Sequence, residues 1–74
     1  MSFRNEVLDA MPVGVKLSAP MIADIIRPDA KPWERRSYIA RVFKALQMEE
    51  QYHSVKRDGT VNVNGHEAVL WVKV

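Results

Sequence analysis

Five cations fall within fourteen residues of this chain: Lys31, Arg35, Arg36, Arg41 and Lys44, against a single acid, Glu34. Guanidinium and ammonium groups at this density are suited to anions, phosphate above all, because charge-assisted hydrogen bonds to phosphate oxygens are among the stronger polar contacts a protein makes. Residues 31–44 carry a net +4, whereas residues 1–30 and 45–74 each carry −1, so the formal +2 of the chain has one local source. Such confinement points to one anion-facing element rather than a generally basic tail. The competing reading is a solvated helix face whose cations meet only water.

Other chemistry finds less support. His53 and His66 have no Cys or Ser nucleophile motif beside them, and His66-Glu67 is adjacent rather than spaced to put two ligands on one face. Glu49-Glu50 diverges on either a helix or a strand, so it is no acid–base pair. The three glycines, Gly14, Gly59 and Gly65, form no phosphate loop. We expect no enzymatic activity, no cofactor and no metal. Trp71 fits strand-face or core packing. Trp33 fits equally well a role over the neighbouring prolines or one in stacking and partner contact. Met11, Met21 and Met48 read as gap-filling core.

The element that must position the cations is a helix from Pro32 to Leu46. Proline suits the first helical position, and Glu34 lies in the first turn, where the helix dipole favours negative charge. Ile39, Val42, Phe43 and Leu46 recur at the i, i+3, i+4, i+7 spacing of one inward face. Opposite them lie Ser37, Arg41 and Lys44, with Trp33, Arg36 and Ala40 on one flank. Arg35 falls within roughly 40° of the centre of the apolar stripe, so it is expected to snorkel or pair structurally.

The remaining chain supplies the frame. Ser2 caps a first helix of about nine residues that turns Phe3, Val7, Ala10 and Met11 to one side, with Leu8 beside them and Arg4, Asn5 and Asp9 outward, until Pro12 and Gly14 end it. Val15-Lys16-Leu17 is a short edge strand whose partner lies much later in sequence. Ser18 caps a second helix with Met21, Ile22, Ile25 and Ile26 on its apolar side and Asp24 and Arg27 pointing away. It stops before Pro28. The prolines of Arg27–Pro32 stiffen the connector, so the angle between the second and third helices should be well defined. Gln47–Glu50 is a polar exit. Two antiparallel strands follow, near 52–57 and 67–73, and 58–66 is either a loop or a small extra strand between the Asp58-Gly59 and Asn64-Gly65 turn signals.

A chain of 74 residues makes one domain, 1–74, with a small core, because a domain of this size buries only about 60% of the surface its unfolded chain exposes. No cysteine supplements that core. No apolar run approaches the roughly 20 residues needed to span a bilayer, and Met1–Met11 carries acids where a signal peptide is basic and then apolar. A soluble cytoplasmic protein is expected, with neither a membrane nor a small-molecule substrate among its partners.

The order helix, short strand, helix, helix, two-stranded ribbon, with LSAPMIADII, WERRSYIARVFKAL and YHSVKRDG…NGHEAVLWVKV as its most characteristic words, resembles the winged helix-turn-helix domain. The resemblance covers nearly the whole chain. It implies an α+β fold, a third helix that enters the major groove of double-stranded DNA, and a hairpin wing along the backbone. Carried over by position, Ser37, Ala40, Arg41 and Lys44 face the groove, Arg36 and Trp33 border it, and Lys56 and Arg57 approach phosphates. The function implied is that of a small transcriptional regulator or accessory factor, and its compact size would suit a phage or mobile-element gene.

Three features depart from the family pattern: a long, proline-rich connector before the third helix, a groove surface without Asn or Gln, and a wing tip with two acids. A domain this short is expected to bind with a second copy or another subunit, through helix one or the last strand. The rival class is a protein-interaction module, adaptor or inhibitor, in which Trp33, Tyr38 and the acidic wing meet a protein. RNA is less favoured, because the chain lacks a sheet face of exposed aromatics.

Overall fold

The computed structural model describes residues 2–74. The chain order is α1 (Phe3–Asp9), β1 (Lys16–Ser18), α2 (Ala19–Ile26), α3 (Pro32–Gln51), β2 (Val55–Val63) and β3 (His66–Lys73). This is a small α+β domain of three helices and a three-stranded antiparallel sheet of order β1-β3-β2.

The local signals work largely as expected. Ser2 Oγ accepts from the Asn5 N–H at 3.3 Å, and Ser18 Oγ accepts from the Met21 N–H at 3.4 Å. Ser18 therefore ends β1 and caps α2 at once, and it is fully buried. The short strand finds its distant partner, with Lys16 opposite Val72, Leu17 opposite Trp71 and Ser18 opposite Leu70. Lys73 Nζ donates to the Leu8 carbonyl at 3.0 Å, placing a cation at the negative end of α1.

The hairpin is longer than its two sequence segments. β2 continues through Asp58-Gly59, where the register slips between Arg57 and Thr60 and Gly59 takes a φ of +86°, and it turns only at Asn64-Gly65, both at positive φ. So 58–66 is neither loop nor separate strand: Asp58-Gly59 is a bulge within one strand, and Asn-Gly makes the tight two-residue turn it favours.

The core joins Val7 and Met11 of α1, Ala19, Ile22 and Ala23 of α2, Val42, Ala45 and Leu46 of α3, and Val55 and Trp71 of the sheet. On α2 the apolar side is turned from the expected one. Ala19, Ile22 and Ala23 are buried, whereas Met21 and Ile25 are exposed, as is Met48 on α3. The small alanines take the inward positions, and the bulkier Met21 and Ile25 stay outside.

α3 differs most from expectation. It runs five residues beyond Leu46 to Gln51, because Glu49 is buried rather than a solvated exit and accepts from Arg4 Nε at 2.7 Å. Arg4, expected outward, is thus half-buried against α3. The helix ends in a paired closure: the Ser54 N–H reaches the Glu49 carbonyl at 2.9 Å and the His53 N–H reaches that of Glu50 at 3.1 Å. His53 occupies the left-handed position at φ +61°, the Schellman arrangement that usually employs glycine.

Candidate nucleic-acid interface

The buried stripe of α3 is Val42, Ala45, Leu46 and Glu49, again at i, i+3, i+4, i+7 but displaced roughly 60° about the helix axis from the expected stripe. Ile39 and Phe43 are only half-buried. The outward pole moves with it. Trp33, Ala40 and Lys44 occupy the pole with Gln47 and Gln51, and Arg36 and Ser37 lie to either side. All of these are exposed. Arg41, expected at the centre, sits about a quarter turn away on the α1 flank. Its guanidinium carbon lies 4.4 Å from the Phe3 ring centroid and 5.5 Å from that of Tyr38.

Gln47 and Gln51 are site candidates that the sequence pattern missed. They join the outer face only because α3 continues to Gln51, and the buried Glu49 is what carries it there. The signal was present in the spacing, since Val42, Leu46 and Glu49 share one face, but a glutamate would have had to be read as part of that face.

Ion pairing divides the basic residues. Arg35 Nε and Nη2 donate to the two carboxylate oxygens of Asp24 at 2.7 and 3.0 Å, which is the structural pairing its position predicts. The Arg35 hydrogen bonds hold the Asp24 carboxyl below its usual range despite partial desolvation, and Asp24 in turn raises the Arg35 pKa. Arg27 Nε donates to the Tyr38 hydroxyl at 3.4 Å; that hydroxyl, with Glu6 and Asp29 at longer range, stabilises the charged guanidinium. Arg57 Nε donates to Glu50 at 3.1 Å and its guanidinium lies over the Trp71 ring. Lys16 meets Asp58 at 3.6 Å.

Among the described residues, Lys31, Arg36, Arg41, Lys44, Lys56 and Lys73 take part in none of these ion pairs. Four of those six belong to α3 or its approach, and Lys73 is bonded to the Leu8 carbonyl. Lys56 and Arg57 point to opposite faces of β2, as adjacent strand residues must. Arg57 lies on the helix side, already engaged, while Lys56 lies on the far side with Lys16.

Between α3 and the hairpin runs an apolar groove of about 470 Å³. Its walls are Ala19 and Pro20 of α2, Arg36, Ile39, Ala40 and Phe43 of α3, and Glu67, Val69 and Trp71 of β3. Phe43 meets Trp71 edge to face at 5.9 Å. The fully buried Trp71 Nε1 has no hydrogen-bond partner. Trp33, 70% exposed, does not line this groove.

No group of three or more His, Asp or Glu side chains is placed to hold a metal ion among the described residues, and none of their helices is long and apolar enough to cross a membrane. No protein-family model, curated protein or solved structure matches the chain.

Proposed function

We propose that this chain is a winged helix-turn-helix protein that binds double-stranded DNA, with α3 as recognition helix and the β2–β3 hairpin as wing, acting as a transcriptional regulator or accessory factor. One observation carries the reading. Among the described residues, four of the five cations of α3 and its approach are left without a carboxylate, while four of the six elsewhere in the chain are paired. A helix fits the major groove, where base edges present distinguishable donor and acceptor patterns. Ser37 and Ala40 are small enough to let the backbone approach the groove floor. Arg36 and Lys44 suit guanine O6 and N7, and Gln47 suits adenine N6 and N7. Arg41, set to one side of α3, suits phosphates, which fix register without reading sequence; Lys56, on the far face of the sheet, is turned away from this surface. Trp33 borders the same surface.

The test is a titration against random duplex DNA at several salt concentrations. Binding should weaken with a slope of about −0.9 per phosphate neutralised. Arg41→Ala should lower the affinity on random duplex and flatten the slope by about one such contact, whereas Arg36→Ala with Lys44→Ala should mainly reduce discrimination between sequences. Absence of binding at low salt overturns the reading, and an unchanged slope in the Arg41 variant moves the phosphate contact to another face.

A further inference from the structure

The groove between α3 and the hairpin has apolar walls, and the largest exposed apolar side chain, Trp33, stands just beyond it without entering. Trp33 and the groove-lining Arg36 and Ala40 are three and four residues apart on one helix face. The same patch therefore offers a convex indole and a concave apolar slot. It also offers opposite charges on opposite walls, Arg36 on α3 and Glu67 on β3. Neither forms an ion pair among the described residues. An interface across a two-fold axis must be self-complementary, each copy presenting both halves of every contact. This patch meets that condition.

We infer that the occupant of the groove is Trp33 of a second copy, inserted reciprocally, so that two α3 helices meet across a two-fold axis and Arg36 of each copy faces Glu67 of the other. Tryptophan is a common interface anchor because it buries a large rigid area, and flanking charge pairs set register rather than supply most of the affinity. Ser37 and Ala40 leave the helices room to approach. The contact is small, which makes the dimer a weak, concentration-dependent one. β3 is the central strand, its Leu70–Val72 stretch covered by β1 on one side and β2 on the other. The dimer covers the surface proposed for DNA, so the two associations exclude each other. The inference itself does not rest on DNA binding.

Sedimentation equilibrium without DNA tests it. The mass should rise from that of the 8.5 kDa monomer towards twice that value as the protein is concentrated into the millimolar range. Trp33→Ala, exposed and outside the core, should stay monomeric with an unchanged circular dichroism spectrum. Arg36→Glu and Glu67→Arg should each weaken the dimer by about tenfold through like-charge contacts, and the double reversal should recover most of that loss. A wild-type chain that stays monomeric at millimolar concentration overturns the inference and leaves the groove to a different protein. So does a Trp33→Ala variant that associates as the wild type does, or a double reversal no tighter than the singles. Self-association that survives alongside a failed DNA titration removes the DNA reading alone.

Discussion

The two sides of α3 make opposite demands on their side chains. On the packed side Val42 and Leu46 are wholly buried, and even the charge admitted there, Glu49, is bonded to Arg4. On the outer side Arg36, Ala40, Lys44 and Gln47 are exposed, and neither cation has a carboxylate partner. Arg35 and Arg36 mark the boundary. Adjacent in sequence, one is clamped by both oxygens of Asp24 while the other stands on the rim of the groove. Counting cations in a sequence therefore overstates what is available to a ligand. Of the five between 31 and 44, Arg35 is taken up by the fold.

The sharpest way to break this division is to truncate two residues that are near neighbours in sequence. Leu46→Ala removes a fully buried side chain and should cost about 2–5 kcal/mol in urea denaturation, the sum of lost transfer energy and a partly collapsed cavity. Lys44→Ala should change stability by less than about 0.5 kcal/mol, since no packing or buried hydrogen bond is lost. Similar losses for the two would mean that the outer side also holds the fold together.

The last turn of α3 belongs to both sides, carrying Glu49 inward and Gln47 and Gln51 outward, and it is closed by His53 in the left-handed region. A side chain with a Cβ is disfavoured there, whereas glycine adopts the conformation at no steric cost. His53→Gly should therefore stabilise the protein by about 0.5–1 kcal/mol, less than the steric relief because glycine also gains freedom in the unfolded chain. The measurement is the thermal midpoint, which should rise by a few degrees for a domain of this length. A lower midpoint would show that His53 makes a contact worth more than the strain.

Much of the fold was legible because short-range chemistry determines it. Ser2 and Ser18 cap where their hydroxyls reach the first-turn amides, Pro32 opens α3, and Asn64-Gly65 supplies the turn its positive φ angles require. The features that escaped depend on partners far away in sequence. Glu49 reads as surface until Arg4, forty-five positions earlier, is placed beside it. That contact accompanies the longer α3, whose buried stripe also takes in Ala45 while Ile39 and Phe43 stay half-buried. Likewise Met21 and Ile25 satisfy a helical apolar pattern, but Ala19 and Ala23, with Ile22, take the core positions. For the site, the eight residues expected at the interface, Trp33, Arg36, Ser37, Ala40, Arg41, Lys44, Lys56 and Arg57, are all exposed. Periodicity sees that much, but it cannot see that Arg57 is already bonded to Glu50 or that an apolar groove lies beside Arg36.

The Asp24–Arg35 pair gives the smallest effect and the finest test of the boundary between committed and available cations. Both side chains are about half exposed, so solvent screens the pair and its worth lies within about 1 kcal/mol even with two-point geometry. Because the folded-state pKa of Asp24 is depressed, its contribution is fully present above the unfolded-state value of about 3.9. It is lost as pH falls through the folded-state value. Asp24→Asn should thus be less stable than the wild type at neutral pH, and the gap should close below about pH 4 as the wild-type carboxyl takes up its proton. It should also narrow in high salt. Urea midpoints at pH 7 and pH 2.5 decide the point. A gap that persists undiminished at the acidic pH would assign the role of Asp24 to packing or helix preference, and would return Arg35 to the cations a ligand can reach.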